Sequence, residues 1–233
     1  MNEKLKKALH YFSPFEKCLW LCSITIITLS FLSTQDFHIL TLIASLLGVT
    51  ALIFIAKGNV IGQAIIVVFS LLYAIVSYEN QYYGELATYV FMTLPSSVVA
   101  IITWMKNPSK KGKSEVRIAH LTKKKLLIVS LLSLLVTFIF YFILKYFNTA
   151  NLIISTISVT TSFFSSSLTI LRSPYHSIGY CFNDVILIVL WILASFNDIS
   201  YLPMVFCFLT FLANDIYTFI SWRKIQKEQA KDA

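Results

Sequence analysis

Ile102-Thr103-Trp104-Met105-Lys106 returns 118 residues later as Ile220-Ser221-Trp222-Arg223-Lys224. The same offset lays Tyr73 on Trp191 and Tyr83 on Tyr201. Each quoted stretch ends a long apolar run with a tryptophan and then a base, as a spanning helix does where it meets the membrane–water interface. Two such ends at one fixed spacing predict a duplicated unit of helices.

Working outward, the chain divides into apolar runs of about the 20 residues a spanning helix needs. They are Pro14–Ser33, Ile39–Ala56, Val60–Tyr78, Leu86–Met105, Leu126–Phe147, Leu152–Leu171, Tyr175–Phe196 and Leu202–Trp222. Composition agrees. Of the 233 residues, 57% are hydrophobic and only 13% charged, against about 25% charged in soluble domains. An ordinary soluble enzyme, a secreted disulfide scaffold and a disordered chain are all excluded. The first run is expected to be a retained helix, because no small-residue cleavage site follows it. Cys18, Cys22, Cys181 and Cys207 lie in apolar runs without metal-ligand spacing and read as buried apolar residues.

The formal charge of +8 does not call for a nucleic-acid partner, because the bases lie between the apolar runs. The N-terminus (Lys4, Lys6, Lys7, Lys17), Lys57, the central loop from Lys106 to Lys125, Arg172 and the tail from Arg223 to Lys231 hold all but one of the 19. The alternate loops carry only Lys145. This asymmetry predicts that both termini are cytoplasmic. The other side carries Asp36, Glu79, Glu85 and Asp198, with Tyr82, Tyr83 and Tyr201 as interface anchors. The central basic loop reads as a solvated linker attracted to anionic lipid. Trp104 and Trp222 read as interfacial belt residues.

Helices two to four and six to eight are the repeat partners, and both triplets begin on the same side. The fold expected is an all-α polytopic membrane protein of eight helices: one extra N-terminal helix, then a 3+1+3 core of parallel three-helix repeats. Residues 1–38 form the N-terminus and extra helix, 39–105 the first repeat, 106–151 the basic loop and linker helix, 152–224 the second repeat, and 225–233 a basic tail. Parallel triplets related by an axis along the membrane normal are a transporter architecture.

Asp184 and Asp215 fall deep within the apolar runs, where a carboxyl costs about 2.5–3.5 kcal/mol on insertion scales. Each follows an asparagine, Asn183 or Asn214, and each pair precedes a tryptophan, Trp191 or Trp222. At 1.5 Å per residue both pairs lie roughly 12 Å from the basic side, level with one another. They either line a site for a polar solute or form a packing network. Thr210, Asn214, Tyr217 and Ser221 make one polar stripe, and Ser155, Ser158, Ser162, Ser165 and Thr169 another. Gln63 and Tyr73 share a stripe with Ser70 and Ser77 on helix three. Such stripes either line a passage or let helices pack closely. Trp191 and Tyr73, repeat-equivalent, are candidates to sandwich a flat ring, and a cationic ring would draw on both aromatic faces and a carboxylate. Pro95 marks a break or kink in helix four. No nucleotide-binding loop, cofactor motif, catalytic cluster or metal-ligand set appears, so no enzyme and no cofactor are expected.

Arg172-Ser173-Pro174-Tyr175, Asn183, Trp191, Ser200-Tyr201-Leu202-Pro203-Met204 and Asn214-Asp215-Ile216-Tyr217 through Trp222 resemble the seventh- and eighth-helix pattern of PnuC-type vitamin transporters, known for nicotinamide riboside uptake. Asn59, Tyr73 and Trp104 extend the resemblance to the first repeat. The family is similar in fold to the SWEET sugar transporters. The resemblance implies facilitated diffusion by alternating access, one substrate between the repeats, trapping by a cytoplasmic kinase, and a homotrimer in a bacterial-type inner membrane. Two departures stand out: Ser96-Ser97 occupies the place of Asn214-Asp215, and the extra first helix is not part of the family core. Nicotinamide riboside and thiamine are both flat-ring cations bearing hydroxyls. Either suits a site of Asn183, Asp184, Asn214, Asp215, Tyr217, Gln63, Tyr73 and Trp191; neutral, larger flavin suits it less. A proton-coupled transporter using Asp184 and Asp215 is the alternative.

Overall fold

Ser13 starts the first helix with its own side chain. Its hydroxyl accepts from the Glu16 N–H (3.2 Å) and the Glu16 carboxylate accepts from the Ser13 N–H (2.6 Å). This reciprocal cap satisfies two of the donors that a helix start leaves open. Pro14 has its φ pre-set for the first turn, and helix α1 (Pro14–Leu32) follows. The computed structural model describes residues 11–34, 39–79, 83–110, 112–149 and 151–231. After α1 come α2 (Ile39–Ala56), α3 (Val60–Glu79), α4 (Tyr83–Thr88), a π-helical turn (Tyr89–Thr93), α5 (Leu94–Met105), α6 (Lys123–Tyr146), α7 (Leu152–Ile170), α8 (Tyr175–Asn197) and α9 (Leu202–Lys231). Among the described residues eight helical spans are long and apolar enough to cross a membrane, α4, the π turn and α5 together making one of them.

The order is one extra helix, a triplet, a return helix and a second triplet. The triplets interlock: α5, which ends the first, packs on α7, which begins the second, while α9, which ends the second, packs on α2, which begins the first. Helix α1 lies against α9 and α2. On α6 one leucine- and phenylalanine-rich face after another is exposed, as suits a helix whose surroundings are lipid. Helices α7 and α8 approach closely at Gly179, where a Cβ would run into Ser165.

The break in the fourth span follows from Pro95. Proline has no N–H to give and its ring crowds the preceding turn. The Leu94 N–H therefore bonds back five residues, to the Tyr89 carbonyl, and the turn widens.

At the lysine- and arginine-rich end of the bundle, α2 and α7 stop in the same way. Gly58 (φ 66°) and Arg172 (φ 57°) are both left-handed. Glycine suits the first of these, since a Cβ there would meet Val116 as well as an unfavourable φ. The Val116 N–H donates to the Gly58 carbonyl (2.9 Å) and the Ala119 N–H to the Arg172 carbonyl (3.0 Å). Upstream, β1 (Pro108–Ser109) and β2 (Gly112–Val116) form an antiparallel hairpin. Gln229 on α9 accepts from the Ile118 N–H (2.8 Å) and donates to the Val116 carbonyl (3.0 Å). The central loop is thus a strap bonded to both triplets, where its charge alone reads as a solvated linker.

Other sequence expectations are corrected. Trp104 and Trp222 are fully buried inside the bundle, so they are not belt residues. Cys18 and Cys22 are exposed on α1, and only Cys207 is buried outright. The basic tail continues α9 as helix to Lys231. Asp36, Tyr82, Lys4, Lys6, Lys7 and Lys111 lie outside the described residues, as do the side chains of Glu79, Tyr83 and Lys113.

Candidate functional site

A cavity of about 140 Å³ opens between the triplets. On α7, Ser155, Ser158, Ser162 and Ser166 face it, at the three- and four-residue steps that keep side chains on one side of a helix. Across from them α8 contributes Tyr180, Asn183 and Asp184, and α9 contributes Asp215. Helix α3 supplies Gln63 and Phe69; the broken fourth span supplies Glu85, Tyr89, Thr93 and Ser97. No lysine or arginine lines the cavity among the described residues.

Asn183 is the most heavily held of these groups. Its Oδ1 accepts from the hydroxyls of Ser158 (3.2 Å), Thr161 (2.8 Å) and Ser162 (3.0 Å). Three donors on one oxygen fix the amide and turn its NH2 to the other side. The carboxyls of Asp184 and Asp215 face each other within hydrogen-bonding reach. Both residues are almost wholly buried, and Asp184 Oδ2 has no hydrogen-bond partner. A buried, open acceptor on a cavity wall is unfavourable until a donor or a positive charge arrives.

The site floor, toward the basic end, is aromatic. His176 lines the cavity, bonds the Ser173 carbonyl through Nδ1 (2.8 Å) and meets Trp222 edge-on at 4.5 Å. Farther from the basic end Tyr73 and Tyr89 stand 4.5 Å apart, and Phe69, one helical turn nearer the basic end than Tyr73, lies 5.7 Å from Tyr89. The Glu85 side chain is hydrogen-bonded to Tyr73.

Of the residues singled out from sequence, Gln63, Asn183, Asp184 and Asp215 meet at this cavity. Tyr73 stands behind its wall, holding Glu85. Trp191 packs on Tyr201 at 5.6 Å and is not on the lining, so Trp191 and Tyr73 do not form a sandwich. Asn214 and Tyr217 point elsewhere: Asn214 donates to Ser23 Oγ (3.0 Å), and the Tyr217 hydroxyl donates to Glu16 Oε1 (2.7 Å). Ser221 donates to the Ala56 carbonyl (2.7 Å). The stripe Asn214, Tyr217, Ser221 is therefore the seam of α9 against α1 and α2. The reason is helical phase: successive residues are about 100° apart, and with Asp215 turned to the cavity Asn214 is carried onto the face that meets Ser23 of α1. Glu85, Ser97 and Tyr180 also line the cavity and are not among the sequence candidates. Glu85 reads as a loop acid because it stands just outside an apolar run, and the sign that it turns inward is Pro95, which loosens that span. No cluster of three metal-ligating side chains occurs among the described residues.

Two interlocked parallel triplets of spanning helices around a polar cavity define a membrane solute carrier. The chain belongs to the nicotinamide mononucleotide transporter family, which matches residues 38–224; α1 stands outside that range. It is 26% identical over 192 residues to the nicotinamide riboside transporter PnuC of Neisseria mucosa, covering 81% of this chain and 73% of that protein. It is 22% identical over 217 residues to the nicotinamide riboside transporter PnuC of Haemophilus influenzae, covering 92% of each. Its structure is similar to the crystal structure of the vitamin B3 transporter PnuC, with a TM-score of 0.81, 25% identity and 94% of each chain covered.

Proposed function

We propose that this protein takes up nicotinamide riboside by facilitated diffusion, its two triplets alternately opening the cavity to either side. The observation that carries this reading is the set of carboxyl groups on the cavity wall. Asp184, Asp215 and Glu85 line it without a basic partner among the described residues. A pyridinium riboside brings a positive ring and hydroxyls, which the carboxyls and the Asn183–serine group accept. A phosphorylated mononucleotide would add a charge of about −1.5 to −2 against three acids, which disfavours it. Thiamine, another flat cation, is the alternative substrate.

In this reading the basic end faces the cytoplasm of a bacterial-type inner membrane, and accumulation depends on a cytoplasmic kinase that phosphorylates the arriving riboside. A homotrimer is the assembly we expect from the family resemblance. Counterflow of labelled nicotinamide riboside into proteoliposomes tests the proposal. Exchange that riboside accelerates and mononucleotide does not supports it. Saturable binding without any exchange would make the protein a receptor instead. The facing carboxyls of Asp184 and Asp215 favour one further reading, proton coupling. Net uptake that is driven by an imposed proton gradient and collapses with a protonophore would establish that reading in place of simple diffusion.

A further inference from the structure

The cavity carries its carboxyls at two heights. Helices α3 and α8 both start at the basic end, next to Lys57 and Arg172 respectively. Asp184 lies nine residues along α8 from Tyr175, a rise of roughly 14 Å; Tyr73 lies thirteen residues along α3 from Val60, a rise of roughly 20 Å. Glu85, bonded to Tyr73, opens the fourth span at the end away from the basic loops, and therefore sits farther from the basic end than the Asp184–Asp215 pair.

The surroundings of the two poles differ. Near Asp184 are the amide of Asn183 and the hydroxyls of α7, groups that exchange hydrogen bonds with a polyol. Near Glu85 are ring faces: Tyr89 lines the cavity, with Tyr73 packed against it and bonded to Glu85. The tyrosine bond occupies one acceptor direction of the Glu85 carboxylate, and a carboxylate has about four. Glu85, on α4, and Tyr89, which opens the π turn, both line the cavity from the same broken span. A carboxylate beside aromatic rings, with no lysine or arginine on the lining among the described residues, is completed by a planar cation. The open Asp184 Oδ2 shows that the other pole also awaits a donor.

Resting on the riboside reading above, we propose that Glu85, beside Tyr73 and Tyr89, is the residue that selects a positively charged ring, and that Asn183 with the Asp184–Asp215 pair holds the sugar. The substrate then lies along the bundle axis with its ring directed away from the basic end.

The test compares two probes that differ in ring charge: nicotinamide riboside, and its reduced dihydro form, which keeps the sugar and carboxamide on a neutral ring. Binding is measured by calorimetry on the full-length protein in one detergent. Glu85→Gln is expected to weaken the cationic riboside about tenfold or more and the neutral one less than about twofold, while Asp184→Asn weakens both. Equal losses for both probes in Glu85→Gln, or no loss for the cation, would overturn the proposal. If Glu85→Gln does not yield folded protein, Glu85→Asp, which keeps the charge but withdraws it by one methylene, must still weaken the cation more than the neutral probe. If the wild-type protein binds neither riboside, the substrate reading has failed. The Glu85 claim then stands or falls on whether Glu85→Gln weakens thiamine by about the same tenfold factor.

Discussion

Trp104 and Trp222 stand with ring centroids 5.3 Å apart, and each gives its indole N–H to the opposite triplet. Trp104 donates to the Thr169 carbonyl of α7 (3.0 Å), Trp222 to the Ile55 carbonyl of α2 (2.7 Å). Those carbonyls are themselves equivalent, each already accepting from the left-handed residue that ends its helix, Arg172 or Gly58. The duplication visible in the sequence is thus a reciprocal exchange in three dimensions, and it closes the cavity toward the basic end.

Because both rings are wholly buried, removing one is expected to be costly. Trp222→Ala should destabilise the protein by about 3–5 kcal/mol, and Trp222→Phe, which mainly loses the hydrogen bond, by about 1 kcal/mol. Thermal unfolding in a single detergent measures both; a Trp222→Ala protein as stable as the wild type would refute the buried-seal assignment.

The seam of α1 gives a prediction of opposite kind. Glu16 joins three groups at once: its cap partner Ser13, the Tyr217 hydroxyl, and Lys57 at 3.4 Å. Glu16→Ala should cost about 2–4 kcal/mol, through the lost cap and the stranded buried donors. Tyr217→Phe and Asn214→Ala should lower the melting temperature yet leave substrate affinity within about twofold, because a lost hydrogen bond affects binding only where it touches ligand. A titration in which Asn214→Ala loses most of its affinity would return that residue to the cavity.

Asn183 separates the two sides of the site. Asn183→Ala leaves the hydroxyls of Ser158, Thr161 and Ser162 without their common acceptor and removes an amide from the wall. Affinity for nicotinamide riboside should fall about tenfold or more, the scale of an unpaired polar group in a site built for hydrogen bonding. Equilibrium binding on protein of verified fold decides it, and unchanged affinity would remove Asn183 from the binding role.

At the far end, Asp198 caps the short turn Ile199–Tyr201 by accepting from the Ser200 N–H (2.9 Å). That bond holds its carboxyl below the ordinary value. A depressed carboxylate stabilises the fold above its unfolded pKa of about 4. The contribution is lost as pH falls through the lower folded value. The difference in melting temperature between wild type and Asp198→Ala should therefore be constant near neutrality and shrink in acid. A difference that grows on acidification would contradict the cap.

The membrane fold was legible because hydropathy, basic-loop asymmetry and an internal offset are each properties of composition or spacing, and all point to one topology. The site was legible in part, for a definite reason. An acid inside an apolar run announces itself, so Asp184 and Asp215 stood out. Which way its neighbour faces depends on helix phase against partners that lie far off in sequence, so Asn214 and Tyr217 read as site residues and are seam residues. A tryptophan at a helix end looks the same whether it meets headgroups or another indole, which is how Trp104 and Trp222 were mistaken for a belt. Glu85 was hidden by the irregular turn before Pro95, since a periodic reading begins the span one residue too late.

The strap has a practical side. A fluorescent tag or protease site placed at the hairpin tip, by Lys110, stands apart from the backbone bonds to Gly58 and Arg172, and surface tips of this kind tolerate inserted sequence. A few positions downstream, between Val116 and Ala119, the same cargo would pull apart the stitches to Gly58, Arg172 and Gln229, so a reporter of the carrier's movement belongs on the tip and a deliberate uncoupler just beyond it.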